Sequence, residues 1–347
     1  MTNIGASAKE RSILLIVRTG VLWVAAVMVL SIAPEAKADD WSPEKIAEYR
    51  AAAAKGEAWA QSNLGIAYAE GMGVPEDDAA AAKLYTRAAE QGHAQAQNNL
   101  GLMYDYGDAV PENDATAAKW YAKAAEQGNI DAQYNLGNMY RFGEGVPEDD
   151  AIAAKWYIKA AEQGDAQAQS NLGNMYDNGN GVSENDATAA KWYTKAAEQG
   201  NVDAQYNLGN LYRFGDGVAQ NDATALKWYT KAAEQGNVDA QYNLGNMYRF
   251  GDGVRQNDAT ALKWYSKAAE QGAAGAQLNL GLMYAKGEGV PENNMPAYMW
   301  INLAAAQGHE YAKTLKDRIK DGMTPADISK AQALSRECLA KSYKNCG

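Results

Sequence analysis

The chain has 347 residues, with 32 Lys and Arg against 43 Asp and Glu, a net charge of −11. Such a balance repels phosphate backbones and anionic headgroups, which argues against nucleic-acid or membrane partners and leaves room for a basic or neutral one. The two histidines, His93 and His309, and the two cysteines, Cys338 and Cys346, lack the ligand spacing of a zinc site.

Residues 1–38 differ from everything after them. Lys9, Arg11 and Arg18 precede an apolar run from 21 to 33, and Ala36-Lys37-Ala38 has the small-x-small spacing of a cleavage site. This segment reads as a secretory signal peptide cut before Asp39, placing the protein in a bacterial periplasm or outside the cell, with no membrane segment left after cleavage. An uncleaved anchor is the alternative, but the apolar run is short for a span of about 20 residues. Without residues 1–38, 28 Lys and Arg remain against 41 Asp and Glu, a net charge of −13.

Residues 39–57 hold one helix, opened by Ser42 as N-cap with Pro43 and Glu44 behind it and closed at Gly56. It reads as a cap on the N-terminal end of a repeat array. From 58 to 308 one pattern recurs every 36 residues. Asn-Leu-Gly places its glycine at 65, 101, 137, 173, 209, 245 and 281, and a second glycine row runs 56, 92, 128, 164, 200, 236, 272 and 308. Tryptophans 120, 156, 192, 228, 264 and 300 form a third row, which Leu84 starts out of pattern. A period of this length means stacked units that share one continuous core.

Residues 129–164 show what a unit is. Taken as a helix over 131–142, Ala132, Leu136, Met139 and Tyr140 fall on one side and Tyr134, Asn138 and Arg141 on the other. Gly137 sits mid-helix, where glycine costs about 1 kcal/mol against alanine, so its recurrence points to close helix contact. Gly143-Glu144-Gly145-Val146-Pro147 stops the helix. Asp149 or Asp150 can cap a second helix, whose Ala153, Ala154, Tyr157, Ala160 and Ala161 form a small-residue face. Lys155, Lys159 and Glu162 point to solvent, and Gly164 ends the helix in left-handed geometry. Ala109, standing where the loop has its second glycine, predicts a differently shaped turn in the second unit. The seventh unit closes in the apolar run 297–308. Beyond it, helices are expected at 310–320 and, from the Thr324-Pro325 start, to about 341.

Three motifs in register, Ala-Gln-x-x-Leu-Gly-x-x-Tyr, Gly-x-Gly-Val-Pro and Ala-x-x-Trp-Tyr-x-Lys-Ala-Ala-Glu-Gln-Gly, resemble the Sel-one-like repeat (SLR) family, which is related to the tetratricopeptide repeats. The resemblance spans residues 58–308. It implies an all-α fold, a right-handed α/α superhelix of about seven helix-turn-helix repeats with capping helices at 39–57 and 309–347, used as an adaptor surface for other proteins. Cysteine-rich relatives bridge the two helices of each repeat. This chain has no cysteine there, and Cys338 and Cys346 read instead as a disulfide pinning the C-terminal tail in an oxidising compartment.

No catalytic constellation is visible. His93 and His309 lie six periods apart at the same turn, so neither a Ser-His-Asp nor a Cys-His arrangement can be built on them. Ser42-Pro43-Glu44-Lys45 matches S-x-x-K without its companion elements. Asp177-Asn178-Gly179-Asn180-Gly181 lacks the ligand order of a calcium loop. No cofactor or metal is called for. The best binding candidates lie on the first helices of the third, fifth and sixth units: Tyr134, Asn138, Arg141 and Phe142; Tyr206, Asn210, Arg213 and Phe214; Tyr242, Asn246, Arg249 and Phe250. Amide, guanidinium and aromatic groups at this spacing suit an extended protein segment. Ser170, Asn174 and Asp177 of the fourth unit interrupt the stripe. The alternative is that Tyr and Arg pack on the next repeat. The expected function is a secreted, non-catalytic scaffold. A cell-wall protein binding peptidoglycan, or a β-lactamase-like hydrolase as some relatives have been described, is the competing reading.

Overall fold

A computed structural model describes residues 41–344 and 346; the signal-peptide reading of residues 1–38 falls outside them. The described residues form 17 helices and no strand. A first helix, α1 (Pro43–Ala54), precedes seven antiparallel pairs: α2 (Ala58–Glu70) with α3 (Asp78–Glu90), α4 (Ala94–Tyr106) with α5 (Asp114–Glu126), α6 (Ile130–Phe142) with α7 (Asp150–Glu162), α8 (Ala166–Asn178) with α9 (Asp186–Glu198), α10 (Val202–Phe214) with α11 (Asp222–Glu234), α12 (Val238–Phe250) with α13 (Asp258–Ala269), and α14 (Ala274–Lys286) with α15 (Asn294–Ala306). Two helices follow, α16 (Glu310–Lys320) and α17 (Pro325–Ala340).

The boundaries come from local chemistry that repeats with the sequence. Asp149, not Asp150, is the cap of α7, and its Oδ1 accepts from the Ile152 amide at 2.9 Å. Asn185, Asn221 and Asn257 do the same for α9, α11 and α13. First helices are capped by Asn129, Asp165, Asn201 and Asn237. Each cap satisfies one of the amides a helix start leaves without a partner. The turn predicted to differ in the second unit keeps its path: Ala109 itself adopts φ 56°, and the Asp108 amide still donates to Met103 O at 3.0 Å. The loop hydrogen bonds outweigh the strain on one alanine. Ala109→Gly should therefore raise stability by about 1 kcal/mol, read as a higher melting temperature; a lower one would contradict the assignment of strain.

The chain divides into two compact units, through residue 135 and from residue 136, the division falling inside α6. In the first, Ile46, Tyr49, Ala52 and Ala53 of α1 pack on Ala60, Leu64 and Ala67 of α2. Ala81, Tyr85 and Ala88 of α3 meet Ala96, Leu100 and Met103 of α4. In the second, Ala189, Tyr193 and Ala196 of α9 pack on Ala204, Leu208 and Leu211 of α10, and the Trp228 ring closes that layer. Its end is covered twice. Ala312 and Leu315 of α16 cover Ile301 and Ala304, and α17 brings Cys338 against a layer that includes Ala268, Ala269, Trp300 and Leu303. Cys338 is joined to Cys346, and Tyr343 lies over Gly272.

Buried glutamines hold successive turns together. Gln205 Nε2 donates to Ala197 O at 3.1 Å, and its Oε1 accepts from Gln235 at 2.8 Å. A buried amide satisfied at both ends adds order without a desolvation penalty left over.

Candidate functional site

On the first helices of the first six units the mid-helix glycine lets the tyrosine of the second helix press against the backbone, and in the seventh Ile301 takes that place over Gly281. A Cβ at Gly209 would stand 2.6 Å from Tyr229 Cδ1, and one at Gly137 would stand 2.7 Å from Tyr157 Cε1. In the third, fifth and sixth units the phenol then reaches an asparagine on the first helix. Tyr157, Tyr229 and Tyr265 donate to Oδ1 of Asn138, Asn210 and Asn246 at 2.6, 2.6 and 2.7 Å. Tyr206 and Tyr242 pack their rings 6.0 Å from Tyr229 and Tyr265. Burial raises the hydroxyl pKa of Tyr193 and Tyr229, and brings that of Tyr265 to about 12.

The arginines of the stripe also find partners within the chain. Arg213 forks onto Asp222 at 3.1 Å, at the start of its own second helix, and onto Asp252 at 2.5 Å, in the next unit's loop. Arg249 pairs with Glu288 at 2.8 Å. Arg141 Nη2 reaches Asn174 Oδ1 at 3.4 Å. Phe214 and Phe250 are 68% and 65% exposed and Phe142 39%, with the Arg141 and Arg249 guanidiniums 5.3 and 5.6 Å from the rings of Phe142 and Phe250.

Within residues 136–347 lies an open polar cleft of about 350 Å³, where the sequence pattern of the stripe breaks. Arg141 stands at its edge. Ser170, Asn171 and Asn174 of α8 line it together with Asp203, Tyr206 and Asn207 of α10, then Asn237 and Asp239 at the start of α12. Ser170 occupies the register position of Tyr134, Tyr206 and Tyr242, so a small side chain stands where a ring would fill the space. Of the twelve stripe residues, only Arg141 and Tyr206 line this cleft. Asn171 and Asn207 belong to the Asn-Leu-Gly motif that marks the repeat period. Asp203 and Asp239 are both exposed and stand at a position where an aspartate recurs in the third, fifth and sixth units.

Ser42 is the N-cap of α1, its side chain accepting from the Lys45 amide at 3.2 Å, while Lys45 Nζ donates to Glu48 at 2.8 Å. His93 caps α4 through Nδ1, 3.3 Å from the Ala96 amide. Among the described residues no group of three or more His, Cys, Asp or Glu is placed to hold a metal ion, and no helix is long and apolar enough to cross a membrane.

Seven consecutive antiparallel helix pairs, each packed on the next within its unit, define an all-α solenoid. The Sel1 repeat model matches residues 60–93, 94–129, 130–165, 166–201, 202–237, 238–272 and 274–309, so the chain belongs to the Sel1 repeat family. Among solved structures it resembles a Sel1 repeat protein from Oxalobacter formigenes, at 39% identity over 80% of each chain with a TM-score of 0.62. It is also similar to c5321, a protective antigen of uropathogenic Escherichia coli strains displaying an SLR fold, at 34% identity over 87% of this chain and 80% of that one, with a TM-score of 0.44. No curated protein matches the chain. Sel1 repeat proteins are generally non-catalytic scaffolds that bind protein partners.

Proposed function

We propose that this protein is a non-catalytic scaffold, exported to a bacterial periplasm or beyond, that binds an extended segment of a partner protein along the first-helix face of its repeats. The observation that carries this reading is the amide-lined cleft at Ser170, Asn171, Asn174 and Asn207. Side-chain amides offer donor and acceptor together and so match peptide backbone. The Tyr–Asn pairs and the ion-paired arginines hold this face in shape from unit to unit, and Phe142, Phe214 and Phe250 add apolar contact along its edge. Export is supported by the basic, apolar and small-residue succession of residues 1–38. Ser42 serves as a helix cap and Lys45 turns to Glu48, which weighs against the S-x-x-K hydrolase reading.

The test is Ser170→Tyr, which restores the residue of the neighbouring units and fills the cleft. Crosslinking with mass spectrometry in the host envelope should recover a small set of proteins with the wild-type chain and lose it with the variant, at unchanged melting temperature. Identical recovery from both would refute the cleft as the contact. Recovery of peptidoglycan alone would favour the cell-wall reading instead.

A further inference from the structure

We propose that the bound segment is basic, and that one of its arginine side chains seats at Asp177, beside the amide cleft. This rests on the proposed peptide-binding role and names its partner chemistry.

Three observations carry it. First, the cationic look of the first-helix face is cancelled internally, since Arg213 and Arg249 are held by Asp222, Asp252 and Glu288. Second, the repeat register places Asp177 where Arg213 stands one unit later, Asp186 where Asp222 stands, and Asp216 where Asp252 stands. The two carboxylates that grip the chain's own guanidinium in the fifth unit thus have counterparts in the fourth, around an aspartate instead of an arginine. None of Asp177, Glu184, Asp186 and Asp216 forms an ion pair among the described residues; Asp177 accepts only the Tyr193 hydroxyl, at 3.5 Å. Third, Ser170, Asn174 and Asp177 follow at helical spacing along α8, so this place adjoins the cleft, whose far side carries the exposed Asp203 and Asp239.

Burial and then the nearby Asp186 raise the Asp177 pKa most, the Tyr193 hydrogen bond lowers it, and Asp216 and Glu184 raise it further. A cation brought to this place would relieve that repulsion. A planar guanidinium fits better than a point charge, because its fork can meet two carboxylates at once, as Arg213 does.

The probes are three decapeptide libraries, randomised except for a central Arg, citrulline or Glu, read by fluorescence anisotropy at low salt. The Arg library should bind the wild-type chain about tenfold more tightly than the citrulline library, the gain expected of a charge-assisted contact. Asp177→Arg returns the residue of the fifth unit, supplies the cation from within, and should abolish the Arg advantage while leaving citrulline binding unchanged and not lowering the melting temperature. Asp177→Asn should reduce the advantage without that internal pair. An Arg advantage that survives Asp177→Arg, or citrulline or Glu peptides that bind as tightly as Arg peptides, would overturn the inference alone. No binding by any library would overturn it together with the peptide-binding reading.

Discussion

Gly217→Ala should destabilise the protein by about 4 kcal/mol, more than alanine at Gly200 or Gly209. The three sites separate two physical causes. Gly200 has φ +94° and no atom within 4 Å of an added Cβ, so alanine there meets only backbone strain, about 1–2 kcal/mol. Gly209 has ordinary helical φ, but its Cβ would lie 2.6 and 2.7 Å from two ring atoms of Tyr229. Overpacking there costs roughly 1–3 kcal/mol, and the gain of about 1 kcal/mol in helix propensity offsets part of it. Gly217 combines φ +65° with a Cβ that would overlap the Asp186 carbonyl carbon and the Ala187 nitrogen. Those atoms are backbone at the start of α9, whose own cap Asn185 holds them, so they yield less readily than a ring. Urea unfolding of the three variants should rank them Gly217, then Gly209 and Gly200 close together. Gly200→Ala as the most damaging, or Gly217→Ala within about 1 kcal/mol of wild type, would refute this account.

The same contrast explains how much of the fold the sequence displays. The 36-residue period, the breakers between helices and the caps are local, and the helix pairs follow from them directly. Gly137 was legible as a contact because a glycine retained mid-helix has a local cost that something must offset. The surface stripe was harder to read. A helical wheel shows what lies opposite the core of one hairpin, but a first helix in a stacked array also meets its neighbours, so the face opposite the core is not all free. Asn138, Asn210 and Asn246 are taken by tyrosine hydroxyls of their own second helices, and Arg213 and Arg249 meet acids of the following unit. The fourth unit looked like an interruption because Ser170 and Asp177 break the pattern. In a tightly packed array a departure of that kind is where space and uncancelled charge arise. Asp203 and Asp239 carry no distinct signal in the sequence, because a repeated aspartate in the first turn of a helix has a sufficient local explanation in the helix dipole.

Raising the pH above about 10 should unfold the solenoid, because the hairpins of the first, fourth, fifth and sixth units each bury a tyrosine in its protonated form. Tyr85, Tyr193, Tyr229 and Tyr265 are between 0 and 4% exposed. Burial is the main cause of their raised pKa, to about 12 for Tyr265 and further for the other three. In the unfolded chain each titrates near 10. The folded state therefore holds protons that the unfolded state releases, so this stability is fully present below pH 10 and is lost as pH rises toward and through the folded pKa values. Each such tyrosine removes about 1 kcal/mol between pH 10 and 11, about 4 kcal/mol for the four. The hydrogen bonds act in the same direction, because Tyr229 and Tyr265 donate to asparagine oxygens and a phenolate has no proton to donate. Tyrosinate absorbance and helical circular dichroism, followed together from pH 9 to 12, should show the buried fraction ionising only as helix content falls. Buried tyrosines that ionise while the helix signal stays intact would mean that the phenols are reached by water in the folded chain. Tyr229→Phe should then narrow the loss, since it keeps the ring over Gly209 and removes one titrating proton.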